Sequence, residues 1–149
     1  MKRWLIVGAV AMVVMMVGAW FAYGIYKDTR PSPIWVPLQV NQDMTTEKQD
    51  EIAKELRGKL LERDYLVGVS KELNLKNVWK MESDEKSADE LAKRLFVRVG
   101  TYDTPMGRVP SINIGVNGIK KETENSTKIA MHLAKRVWAH LGLEPPREQ

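Results

Sequence analysis

Between Trp4 and Tyr26 the chain runs for 23 residues without a charge, WLIVGAVAMVVMMVGAWFAYGIY. Nothing else in the sequence limits the fold as much. As a helix rising about 1.5 Å per residue, the run reaches roughly 35 Å, enough for a hydrocarbon core of about 30 Å. Trp4 stands at one end and Trp20, Tyr23 and Tyr26 stand towards the other. Amphipathic rings favour the two membrane interfaces, so the four are expected as interface anchors of a transmembrane helix. A cleavable signal peptide is the competing reading, with Val17-Gly18-Ala19 as the small-residue site. The apolar run continues for seven residues beyond Ala19, which suits an uncleaved signal-anchor better than a signal h-region of about 7–15 residues.

Lys2 and Arg3 precede the run, and Lys27 and Arg30 follow it. This weak bias leans to an inner N-terminus. The expected location is therefore the cytoplasmic (inner) membrane, single-pass, with the C-terminal part on the extracytoplasmic or periplasmic side. The sequence divides into an anchor (1–26), a linker stiffened by Pro31 and Pro33 (27–33), one domain (34–144) and a tail (145–149). Without Lys2 and Arg3 the chain holds 21 Lys and Arg against 19 Asp and Glu, too even a balance to argue for nucleic acid. Cysteine is absent, which excludes disulfides, a lipid-modified cysteine and thiolate metal sites.

Within the domain the hydrophobic period changes several times. Ile34, Val36, Leu38 and Val40 alternate as in a half-buried strand, and Pro37, which cannot donate to a ladder, suits an edge strand or a strand end. Thr46 and Gln49 have capping-box spacing, and Ile52, Leu56 and Leu60 recur on one helical face. A bend at Arg63–Asp64 precedes a second helix that carries Leu66, Val69 and Leu73. Ser83 is placed to cap a third, with Asp84 and Glu85 in its first turn. Its stripe of Ala88, Leu91, Ala92 and Leu95 then gives way to the alternation Leu95, Val97, Val99. Ile112, Ile114 and Val116 alternate in a further strand, and Asn117-Gly118 reads as a turn. The last helix follows, with Asn125 as N-cap, Gly142 as C′ residue and Ile129, Leu133, Val137 and Leu141 on one face. The order is β-α-α-α-β-β-α, an α+β fold in which a small sheet of about three strands packs against helices.

Catalytic patterns are missing. No phosphate-binding glycine loop and no nucleophile elbow occurs. His132 and His140 are eight residues apart, too far for the i, i+4 pairing of a helical zinc site, and no acid is placed between them as that motif needs. The expectation is a protein that is not an enzyme and takes no cofactor or metal. One segment remains as a candidate ligand or partner site, the polar stretch TYDTPMGR with Tyr102, Asp103 and Arg108. It is expected to be an unusually long loop between two strands. Turn chemistry and an Asp103–Arg108 pair across its base explain the same residues without a ligand.

The series VGVSKELNLKNVW, ELAKRLFVRV, SINIGV and KIAMHLAKRVW resembles the extracytoplasmic domain of Wzz-type polysaccharide chain-length determinants, the polysaccharide co-polymerases. Leu73-Asn74-Leu75, Arg94-Leu95-Phe96-Val97, Ile112-Asn113-Ile114-Gly115-Val116 and Ile129-Ala130 carry the likeness, which extends over about Ile34 to Leu141. The family's long coiled coil, second span and, in some members, tyrosine-kinase region have no counterpart here. The resemblance therefore implies a short, singly anchored form that assembles with itself or with polysaccharide-export partners and has no catalytic residues. A membrane-anchored ligand- or envelope-binding module using residues 100–109 is the alternative.

Overall fold

A computed structural model describes residues 2–140 of the chain, with side chains for residues 14–139. The elements run α1 (Lys2–Asp28), β1 (Pro31–Gln39), α2 (Thr46–Leu60), α3 (Arg63–Glu72), α4 (Leu75–Val78), α5 (Asp84–Arg94), β2 (Leu95–Thr104), β3 (Gly107–Ile119) and α6 (Thr123–His140). A short 3-10 turn, Lys120–Glu122, joins β3 to α6. The α+β class and the small sheet agree with the sequence reading. The expected order gains one short helix, α4. It forms because Asn74 takes a left-handed φ of 51°, which ends α3 and restarts the chain in a new direction.

Among the described residues no helix is long and apolar enough to cross a membrane. The side chains of residues 4–13, the first part of the apolar run and the expected anchor Trp4 among them, lie outside the description, as do Gly142 and the tail.

The three strands form one antiparallel sheet in the order β1-β3-β2. Its register stacks three apolar rungs: Ile34, Val116 and Leu95; Val36, Ile114 and Val97; Leu38, Ile112 and Val99. This face receives the helices. α6 lies over β1 and β3, and α2 lies over β2, while α3 and α5 pack on each other. Leu56, Val69, Leu91 and Leu133 complete a single buried core with the central strand. Burying a side chain of this kind contributes roughly 1.5–3 kcal/mol.

β1 starts at Pro31, inside the segment read from sequence as a linker. Prolines are tolerated there because of their register. Pro31, Pro33 and Pro37 all share one parity, whereas Arg30 accepts from Lys120 N and Val40 donates to Pro110 O on the other parity. The three proline nitrogens thus face the free edge, where no ladder donor is needed and where they prevent another strand from adding.

Three local expectations are corrected. Thr46 and Gln49 make no capping box: Thr45 occupies the cap, and buried Gln49 donates through Nε2 to Met44 O at 2.9 Å. Asn117 and Gly118 lie in β3, paired with Pro33 and Ser32, because the partner strand starts early enough to hold them. α6 begins at Thr123, directly after the 3-10 turn, so Asn125 is inside it. Ser83 does cap α5, accepting from Lys86 N at 3.3 Å.

Candidate functional site

The stretch Tyr102–Arg108 is not a long loop. The ladder continues through Tyr102↔Val109, Asp103↔Arg108 and Thr104↔Gly107, which leaves only Pro105 and Met106 unpaired. Pro105 keeps φ negative and so excludes the usual mirror-image hairpin turns; Gly107, at φ 121°, supplies the positive dihedral one step later. Thr104 Oγ1 donates to Gly107 O at 2.7 Å and accepts from Met106 N at 3.3 Å, closing the turn. Arg108 Nε donates to Asp103 Oδ1 at 3.0 Å, as the sequence suggested. Successive strand residues face opposite ways, so Tyr102 lies on the sheet's other face from Asp103. The three candidates do not converge on one point. Both members of the Asp103–Arg108 pair are about four-fifths exposed, and exposed pairs contribute little. Replacing both by alanine is expected to lower stability by no more than about 1 kcal/mol, read by urea denaturation.

The sheet face opposite the helices offers more. Leu95, Val97 and Val99 point inward, so Phe96, Arg98 and Tyr102 point outward, and in β1 Trp35 does the same between Ile34 and Val36. Trp35 and Phe96 flank Gly115 on one rung. A Cβ at Gly115 would stand 2.6 Å from the Phe96 ring and 2.8 Å from Trp35 Cβ, so the two aromatic residues crowd over the glycine. Asn113 lies across Gly100 in the same way, 2.6 Å from where a Cβ would be. Side chains laid down over glycines give a flat face. The Arg98 guanidinium stands 5.0 Å from the Phe96 ring centre, a cation–π distance. Trp35 is 51% exposed, a large aromatic ring open to solvent on this face. The sequence reading missed this face, although the signal was present: two aromatic residues occupy the outward parity of strands whose inward parity is aliphatic.

A second feature is a cleft of about 500 Å³ between α2 and α6, with Leu56, Leu60 and Val137 as its floor and Tyr65 and Arg136 in its wall. The Tyr65 hydroxyl is out of solvent and has no hydrogen-bond partner among the described residues. Burial pushes its pKa up to about 12; the nearby Arg136 charge acts against that rise and Glu72 adds to it. Glu72 itself pairs with Arg136 and lies 3.0 Å from His132 Nε2, an ion-pair distance without the alignment of a hydrogen bond. His132 is thus part of a helix-to-helix contact; the His140 side chain lies outside the description.

The Tyr65 shift has a definite sign. The folded state holds the phenolic proton to a higher pH than the unfolded chain does. Its contribution is therefore complete below about pH 10 and is lost as pH rises to about 12. Tyr65→Phe is expected to remove that alkaline limb from the stability profile. Near neutral pH it is expected to be neutral or stabilising, because it deletes an unsatisfied buried group. Thermal melts from pH 7 to about 12 check both.

Elsewhere the singled-out residues have structural partners. Trp138 is buried in the core. Trp79 carries the Arg94 guanidinium 4.8 Å from its ring centre. Arg94 also donates to Glu90 at 2.8 Å and Glu122 at 2.7 Å. Burial opposes its charge, but these two carboxylates outweigh that and hold its pKa above the ordinary arginine value. Trp20, Tyr23 and Tyr26 project from α1 and are exposed. Among the described residues no group of three or more His, Asp or Glu side chains is placed to hold a metal ion. Comparison with protein families, curated proteins and solved structures found no match to the chain.

Proposed function

We propose that the chain is a membrane-anchored, non-enzymatic assembly protein. One observation carries the reading: every described side chain of α1 from Val14 onward is exposed, including Val14, Met15, Met16, Phe21 and Ile25. The folded domain has its own closed core and does not use them. An exposed apolar surface of this kind calls for a non-aqueous partner, and the uncharged run through Tyr26 is long enough for lipid to be that partner. The cytoplasmic membrane, with the domain on its extracytoplasmic side, is the proposed location. Retention of the full chain in membranes through a carbonate wash tests the anchor. Protease that reaches the domain in spheroplasts tests its side. A chain released by carbonate sinks the reading.

Assembly is assigned to the open sheet face and to a second copy of the same chain. The proline-guarded edge of β1 resists strand addition, so the flat Trp35–Phe96 face is the better docking area on that side. Anchoring supports this, since copies in one membrane share a plane and an orientation. Trp35→Ser is expected to shift the full chain in detergent from oligomer to monomer on native mass spectrometry, with its melting temperature nearly unchanged. A wild-type chain that is monomeric at high concentration contradicts self-assembly.

A role in surface polysaccharide biosynthesis or export is the finer form of the proposal, and it rests on the resemblance to chain-length determinants. A deletion strain should then change the modal length or amount of its surface polysaccharide on a gel. An unchanged profile removes this part and leaves the anchored assembly domain standing.

A further inference from the structure

The fold brings together two short basic segments that are 90 residues apart in the sequence. Lys27 lies in the last turn of α1 and Arg30 two residues beyond its end, and Lys120 and Lys121 begin the 3-10 turn after β3. Lys120 N donates to Arg30 O at 3.0 Å, and α1 touches the same turn. All four residues are exposed, and none makes an ion pair among the described residues. The acids that could neutralise them are mostly committed elsewhere. Glu122 is held by Arg94 at 2.7 Å, and Glu124 by Lys128 at 2.7 Å. Only Asp28 stands within the group without such a partner. A net positive cluster therefore sits where the apolar helix meets the domain, one turn from the interface residues Tyr23 and Tyr26.

We infer that this cluster is a collar for anionic lipid headgroups, recruited from the bilayer in which α1 is seated. This rests on the membrane-anchored reading and adds a lipid preference to it. The placement fits because a cation beside the end of a spanning helix lies at headgroup depth, where each strengthens binding to an anionic surface by roughly fivefold. Arg30 stands 4.9 Å from the Tyr26 ring centre, which leaves its charge facing the same zone. Lys120 and Lys121 are the informative members. They lie far from α1 in sequence, so they reach the headgroups only if the folded domain is docked close to the membrane.

The test uses the full chain in detergent, titrated with phosphatidylglycerol or phosphatidylcholine and followed by native mass spectrometry. The wild type is expected to bind the anionic lipid preferentially, with the preference weakening as salt rises. K120Q/K121Q should cut that preference by roughly tenfold or more. K48Q/K76Q, the same charge change at exposed sites elsewhere, should leave it intact. Competition with inorganic phosphate separates the sources of the anion: displacement of lipid by equal amounts of phosphate would mean a free-anion site and overturn the collar. Equal binding of both lipids, or an unaltered preference in K120Q/K121Q, would also overturn it. A carbonate wash on the same preparations keeps the two readings apart. A chain that resists carbonate but shows no lipid preference loses the collar alone; a chain released by carbonate loses the anchor and the collar with it.

Discussion

Gly115→Ala is expected to destabilise the domain by about 3 kcal/mol, in the range of severe overpacking. One methyl group does this because of where it would go. Its carbon would stand 2.3 Å from Ile34 O, a backbone atom of the neighbouring strand, besides the contacts with Phe96 and Trp35. Side chains can rotate away; a carbonyl in a ladder can move only by disturbing the β1–β3 pairing. The gain from replacing a strand glycine, roughly 0.5–1 kcal/mol, is too small to offset this. Gly58→Ala is the matched control. Gly58 lies inside α2 with nothing within 4 Å of an added Cβ, so that change should stabilise by up to about 1 kcal/mol. Removing the ring as well, in Gly115→Ala with Phe96→Ala, should not restore stability, because the carbonyl contact remains. Urea midpoints for the four proteins decide it, and a near-neutral Gly115→Ala would mean that the strands are less closely paired than the register requires.

The same position shows what could be read from the sequence. Alternation placed the inward residues of β1, β2 and β3, and the helical stripes placed Leu56, Leu91 and Leu133, because burial imposes a period that local sequence records. The β2–β3 connection failed for a related reason. Tyr102, Asp103 and Arg108 are polar or exposed, so no period marked them as strand, yet backbone pairing continues through them regardless of side chain. Asn117-Gly118 carried a turn signal that the long partner strand overrode. The open face was legible in principle, as the outward parity of strands already assigned, but assigning Trp35 and Phe96 to one rung required the register. The basic cluster of Lys27, Arg30, Lys120 and Lys121 was not legible at all, since only tertiary structure joins residue 30 to residue 120.

Arg94→Ala is expected to cost about 2–3 kcal/mol, between the values for exposed and fully buried ion pairs. Arg94 and its two carboxylate partners are each about one-quarter exposed. Glu90 lies one turn earlier on α5, whereas Glu122 belongs to the turn before α6, so the guanidinium joins elements that have few other polar links. Its removal leaves two acidic groups facing one space and uncovers the face of Trp79. Arg94→Lys should recover only part of the loss, because an ammonium keeps the charge but not the planar fork that reaches both partners. Adding Glu122→Gln to Arg94→Ala should recover about 1 kcal/mol by relieving the like charges. The penalty should also persist in salt, unlike that of the exposed Asp103–Arg108 pair. Hydrogen exchange would locate the damage: protection should fall first at residues 120–123, the turn that Glu122 pins and that carries Lys120 and Lys121 against α1. An Arg94→Ala protein within about 0.5 kcal/mol of wild type, with that turn still protected, would show that backbone pairing alone holds the domain to α1.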